Sequence, residues 1–139
     1  MSLYQFAPTA SHPNNPGFVT WENGFSDEEL TRIIELCSAL PVEQGTVGSP
    51  VGNTESKKDE VVRTSDVSWL SRTNDSEWVY ERLAFIARKL NAEFYNFDLY
   101  GFVEDMQYTV YNGSDSGHYT WHVDSSSTSA SPRKFSLVL

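Results

Sequence analysis

The sequence predicts a single α+β domain, in which two helices precede a set of antiparallel strands. A chain of 139 residues is long enough for one hydrophobic core and too short for two. Two segments before Glu93 carry apolar residues at helical spacing, each after a capping signal, and from Glu93 the spacing changes to alternation. Helices followed by alternating strands are typical of α+β proteins.

The predicted domain has three parts. Residues 1–23 are rich in Pro, Asn and Ser and are expected to form an irregular arm. Residues 24–92 supply the helical support and include a mobile loop or short hairpin at 44–60, where apolar residues are scarce. Residues 93–139 supply the main strands.

The two helices are predicted from capping signals and apolar stripes. Ser26 and Glu29 form a capping box that starts a helix over residues 27–40, which ends before Pro41. Residues 74–77 give a second capping signal for a helix over 75–91. The apolar face of the first helix is made of Leu30, Ile33, Ile34, Cys37 and Leu40.

The strands are predicted from alternation between segments rich in Gly, Asn, Ser and Pro. A short strand and turn is expected at residues 63–70, ahead of the second helix. Four further strands are expected at residues 94–103, 106–111, 118–124 and 134–139.

Composition disfavours several classes of function. With 10 Lys and Arg against 19 Asp and Glu, the formal charge is −9, which disfavours binding to nucleic acid or to an anionic membrane. The single cysteine, Cys37, is expected to be a buried structural thiol on the first helix rather than a nucleophile. One cysteine and an N-terminus without secretory features favour a cytoplasmic location.

His122 and Asp124 are the candidate metal ligands. Residues two apart in a strand point to the same face, so the imidazole and the carboxylate can converge on one ion. Two His and one carboxylate form the ligand set of non-haem Fe(II) oxygenases. No histidine follows Asp124 to supply the third ligand.

His118 is a rival ligand that strand geometry disfavours. Four residues along a strand span about 13 Å, too far for His118 and His122 to share one ion unless a bulge intervenes. We therefore expect His118 to lie at a loop end or beside the ligands. Tyr119 and Trp121 alternate away from His122 in the predicted strand, which favours packing roles for both.

The second half of the chain resembles a known family. The order Leu99-Tyr100-Gly101-Phe102, residues 106–111, a Gly-containing loop, residues 118–124, a Ser-rich loop and residues 133–139 resembles the prolyl 4-hydroxylase-like branch of the Fe(II)/2-oxoglutarate-dependent oxygenases, and within it the PKHD-type hydroxylases. The resemblance is dense from Val61 to Leu139 and looser at residues 21–26.

This resemblance implies a fold and an activity. The fold would be an antiparallel double-stranded β-helix, also called a jelly roll or cupin-like fold, with the helices packed on it. The activity would be hydroxylation by an Fe(II)- and 2-oxoglutarate-dependent dioxygenase, with His122 and Asp124 as iron ligands. The substrate would be a peptidyl prolyl residue or a small molecule, and the resemblance also allows ascorbate as a cofactor.

Two tyrosines are candidates for the cosubstrate site. The family places a tyrosine hydroxyl against 2-oxoglutarate at the position that Tyr111 occupies. The loop at residues 112–117 is slightly long for the motif, so Tyr119 is the alternative. A half-buried packing role is equally open for Tyr111.

The apolar residues 135–139 predict that the chain stops inside a strand, with the jelly roll incomplete at its C-terminus. The family's third ligand and the basic partner of the 2-oxoglutarate carboxylate would then lie outside it. We expect such a fragment to be inactive alone and to self-associate through the unpaired strand. The alternative interpretation is a non-catalytic jelly-roll binding or interaction module.

Overall fold

The computed structural model describes residues 16–47, 58–102, 104–122 and 134–139. The helices are α1 (Asp27–Ser38) and α2 (Glu77–Leu90), and a π-helical turn at Asn91–Tyr95 continues α2. The strands are β1 (Glu43–Gln44), β2 (Arg63–Thr64), β3 (Asp66–Leu70), β4 (Met106–Val110) and β5 (His118–Tyr119). The predicted α+β class is confirmed.

The strands form two antiparallel sheets, one in the order β1-β3-β4 and the other pairing β2 with β5. Within the described residues these sheets are not closed into a barrel, so the expected jelly roll is not confirmed. The short strand predicted at residues 63–70, ahead of the second helix, is confirmed as β2 and β3. With β1 they lie between the two helices, so the simple order of helices followed by strands does not hold. Of the predicted loop at 44–60, residues 48–57 lie outside the described part of the chain.

The capping box of α1 is confirmed. The Ser26 hydroxyl accepts a hydrogen bond from the Glu29 backbone N–H at 3.2 Å, and the Glu29 carboxylate accepts one from the Ser26 N–H at 2.9 Å. The predicted apolar face is only partly buried: Cys37 lies in the core as expected, whereas Ile34 is 52% exposed. Burial raises the pKa of the Cys37 thiol, which suits an inert packing role.

The hydrophobic core lies between α1, α2 and the three-stranded sheet. Its buried members are Phe25, Ile33, Cys37, Leu70 and Val79.

The N-terminal end of α2 is built differently from the predicted cap. The Ser76 hydroxyl makes no cap hydrogen bond; it accepts one from the Thr73 N–H and donates to the Ser71 carbonyl at 2.7 Å. These bonds fasten the start of α2 to the chain that leaves β3.

The predicted strand at residues 94–103 is wrong for its described residues. Asn91 holds the chain in a tight turn, since its side chain both donates to the Phe97 carbonyl and accepts from the Phe97 N–H, each at 2.8 Å. Asn96 takes a left-handed conformation with φ of 56°. The alternating aromatic residues pack as a cluster, in which Tyr95 and Phe97 both contact Phe135.

The predicted strand at residues 134–139 is also wrong, because these residues lie outside any strand. Phe135 is held by the aromatic cluster at centroid distances of 5.1 and 5.4 Å. Neither described helix is long and apolar enough to cross a bilayer.

One continuous segment, β2 followed by β3, pairs with two separate strands. Arg63 lies opposite Tyr119, and Asp66 lies opposite Val110. Three residues along the β2–β3 segment therefore correspond to nine residues along the segment from β4 to β5. The six extra residues, 112–117, fold back on themselves through a hydrogen bond of 2.8 Å from the Gly117 N–H to the Asn112 carbonyl. This loop therefore fixes where β5 and the residues after it lie.

Gly117 is required for that closure. A Cβ atom there would lie 2.6 Å from the Asn112 backbone nitrogen and 2.9 Å from its oxygen, and neither backbone atom can easily move away. We expect Gly117→Ala to lower the free energy of unfolding by about 1–3 kcal/mol, measured by urea denaturation. Gly113→Ala, in the same loop but with nothing within 4 Å of the new methyl group, is the matched control. Equal effects of the two substitutions would contradict this account of the loop.

The Tyr80 hydroxyl joins α2 to the last pair of the three-stranded sheet. It donates to the Leu70 carbonyl at 2.6 Å and accepts from the Met106 N–H at 3.2 Å. Tyr80→Phe leaves two backbone groups without this partner, so we expect unfolding to become easier by about 1–3 kcal/mol. Tyr100→Phe, at a site that is 76% exposed, should change stability little. Thermal denaturation of both variants checks the prediction, and similar small losses would refute it.

Candidate metal site around His122

His122 lies just beyond β5, on a segment anchored to β2. The Thr120 N–H donates to the Val62 carbonyl at 2.9 Å, extending the β2–β5 pairing by one bond. The His122 Nδ1 lies 2.8 Å from the Thr120 carbonyl oxygen. A carbonyl can only accept, so Nδ1 carries a proton, and the neutral ring then has its lone pair on Nε2. Metal-binding histidines have this arrangement.

Tyr119 stacks on His122. The ring centroids are 3.7 Å apart and the planes differ by 14°. The expectation that Tyr119 points away from His122 is therefore wrong. The reason is that β5 ends at Tyr119, so strand alternation does not extend to His122. Trp121 is fully exposed rather than packed.

Arg63 supports the Tyr119 ring. Its guanidinium carbon lies 4.6 Å from the ring centroid. An imidazole at 3.7 Å already covers one face of the ring, so the guanidinium lies over the other face. The three side chains form a stack in the order Arg63, Tyr119, His122, which we call the Arg63 stack.

The guanidinium of Arg63 is enclosed, with the residue only 7% exposed. Its Nε donates to the Ser65 hydroxyl at 2.7 Å, and its Nη1 donates to the Thr46 carbonyl at 3.3 Å. Gly45 leaves room for it, because a Cβ atom at that position would lie 2.6 Å from the Arg63 Nε.

The other predicted site residues are Asp124 and Tyr111. Asp124 lies outside the described residues. Tyr111 follows β4, with an exposed side chain and its backbone against Gly117. Of the two candidate tyrosines, Tyr119 is the one whose ring contacts His122. Among the described residues, no group of three His, Cys, Asp or Glu side chains converges as a metal site.

His118 ties the loop at 112–117 to the turn before β2. Its Nδ1 lies 2.9 Å from the Ser116 carbonyl oxygen and its Nε2 lies 3.2 Å from the Val61 carbonyl oxygen. Both partners are acceptors, so the doubly protonated ring satisfies both contacts. Coordination of a metal by His118 would break one of these two contacts.

Sequence reasoning gave Arg63 no role beyond its place in a short strand. Its position in the stack depends on two long-range pairings, with Tyr119 through the β2–β5 register and with Gly45 through the Gly45 N–H bond to the Ser65 carbonyl. Neither pairing can be recognised from a sequence pattern, because each joins residues that are far apart in the chain.

No protein-family model, curated protein or solved structure matches this chain.

The two carbonyl contacts raise the pKa of His118 above its ordinary value of 6.5, with the Ser116 contact as the larger cause. A group whose pKa is raised by folding stabilises the folded state. This contribution is fully present below pH 6.5 and is lost as the pH rises through the folded-state pKa. We expect the difference in unfolding free energy between wild type and His118→Ala to shrink from acidic to mildly alkaline pH. Urea denaturation across that range, with a proton NMR titration of His118, measures it. A difference that grows with pH would show that the sign is wrong.

Proposed function

We propose that this chain supplies His122 and Asp124 as ligands to the iron of a non-haem Fe(II)- and 2-oxoglutarate-dependent dioxygenase. The observation that carries the proposal is the tautomer and the fixed orientation of the His122 imidazole. Its Nδ1 donates to a backbone carbonyl, which places the lone pair of the neutral ring on Nε2, and its ring is held by an aromatic neighbour. Structural support of this kind is usual for histidine ligands of metals.

The donor types of His122 and Asp124 suit Fe(II). An imidazole with a fixed tautomer is one of the three donors of a two-His, one-carboxylate site, and Asp124 is the carboxylate nearest to it in sequence. Bound Fe(II) would supply the oxidation chemistry with 2-oxoglutarate and O2. The protein would orient the donors and the substrates. We also propose that the antiparallel sheets belong to a jelly roll of the prolyl 4-hydroxylase-like type.

Tyr119 is the better placed of the two tyrosines to contact 2-oxoglutarate, because it already lies against His122. Tyr111 stays the alternative. Either hydroxyl would donate to a carboxylate oxygen of the cosubstrate, a bond that contributes about 1.5–3 kcal/mol when the acceptor is charged.

A peptide is the substrate class that the surroundings of His122 favour. Trp121 is fully exposed next to His122, and Val61, whose carbonyl contacts His118, is also exposed. Exposed apolar side chains beside a polar site are typical of surfaces that bind apolar groups of a partner. A prolyl residue in a peptide meets this description, and a small molecule is the second class to assay.

His122→Ala and Asp124→Ala should each weaken Fe(II) binding by more than about ten-fold, and in a gene product that also supplies the third ligand each should abolish iron-dependent conversion of 2-oxoglutarate to succinate. Anaerobic Fe(II) titration and a succinate assay measure the two effects, and circular dichroism checks that the variants fold. His12→Ala is the control, since it removes an imidazole that is distant from His122 in the sequence.

Fe(II) affinity that is the same in wild type and His122→Ala would overturn the proposal. That result would favour the alternative of a non-catalytic binding module.

A further inference from the structure

We infer that Arg63 is a positioning residue that holds the His122 imidazole in place through the ring of Tyr119. Its consequence for metal binding rests on the proposed function, whereas the effect on ring position does not. The inference depends on the Arg63 stack, which joins a side chain of β2, one of β5 and one beyond β5.

Arg63 is rigidly held at the buried end of this stack. Two hydrogen bonds to neutral acceptors, the Ser65 hydroxyl and the Thr46 carbonyl, fix the plane of its guanidinium. The backbone at Gly45 lies close to the Arg63 side chain, since a Cβ atom there would be 2.6 Å from the Arg63 Nε. Of the two ion pairs in the described part of the chain, neither involves Arg63; they join Arg72 to Glu77 and Arg82 to Glu29. The charge of Arg63 is thus directed to the face of Tyr119 rather than to a carboxylate.

Two described contacts orient His122, which is exposed and lies beyond the end of β5. The Thr120 contact fixes one ring nitrogen, and stacking on Tyr119 fixes the plane of the ring. The far face of the Tyr119 ring is covered by the guanidinium of Arg63.

A planar guanidinium is suited to this position, and an ammonium group is not. Arginine stacks flat on an aromatic ring while its edge donates to fixed acceptors, whereas lysine offers a compact, strongly hydrated charge. Arg63→Lys should therefore fail to restore the stack although the charge is kept.

The first test needs no substitution. Protons of an imidazole that lies over the face of Tyr119 resonate upfield of their usual positions, so the His122 Hδ2 and Hε1 signals of the wild-type protein should be shifted upfield in proton NMR spectra. Ordinary positions for both signals would overturn the inference.

The second test uses Arg63→Met, which keeps much of the side-chain length but loses the charge and the hydrogen bonds. The His122 signals should return to ordinary positions, and Fe(II) affinity measured with the metal alone should fall by about ten-fold to a hundred-fold. Arg32→Met is the matched control, since Arg32 lies over Trp78 at 5.1 Å, and it should change neither measurement. Unchanged His122 signals in a folded Arg63→Met protein would contradict the inference.

Two further variants decide the matter if Arg63→Met does not fold. Arg63→Lys should lose the upfield shifts, and Gly45→Ala, whose new methyl group would lie 2.6 Å from the Arg63 Nε, should displace the guanidinium and lose them as well. Retained shifts in either folded protein would overturn the inference. Failure of the proposed function is recognised separately: His122→Ala would then leave Fe(II) affinity unchanged while the NMR results still report on Arg63.

Discussion

The structure depends on the antiparallel pairing of one continuous segment, β2 and β3, with two strands that are far from it in sequence. Through β3 this segment joins the core, where Leu70 is buried against α1 and α2. Through β2 it holds β5 and the residues that follow. Because both strands are parts of one segment, the position of His122 relative to the core is set by backbone hydrogen bonds rather than by a loop alone.

The change of register between the two sheets makes this arrangement possible. If residues 112–117 continued the β3–β4 pairing instead of looping out, Gly113 would lie opposite Arg63. The closed loop shifts the partner by six residues, so that Tyr119 lies opposite Arg63. His118 then fastens the loop to the Val61 carbonyl. The slightly long loop noted in the sequence is thus what aligns the stack.

The contacts of the Arg63 guanidinium offset the free-energy cost of burying it. Enclosing a guanidinium is costly unless its donors are satisfied and its charge finds a favourable neighbour. The Ser65 hydroxyl, the Thr46 carbonyl and the Tyr119 ring meet these needs. The buried cation thus supports the Tyr119 ring, and His122 lies on the other face of that ring. The proposed iron site would rely on that support for one of its donors.

The sequence by itself determined the features that depend on neighbours in the chain. The capping box at Ser26, the burial of Cys37 and the strand at Met106–Val110 are local, because each needs only residues within a few positions and an apolar pattern. Tertiary structure decided the rest. Alternating aromatic residues near Tyr95 became a cluster around Phe135, and Tyr119 turned toward His122 once β5 ended. Arg63 acquired its place only when strands distant in sequence were paired, since no local pattern encodes which residues a folded chain brings together.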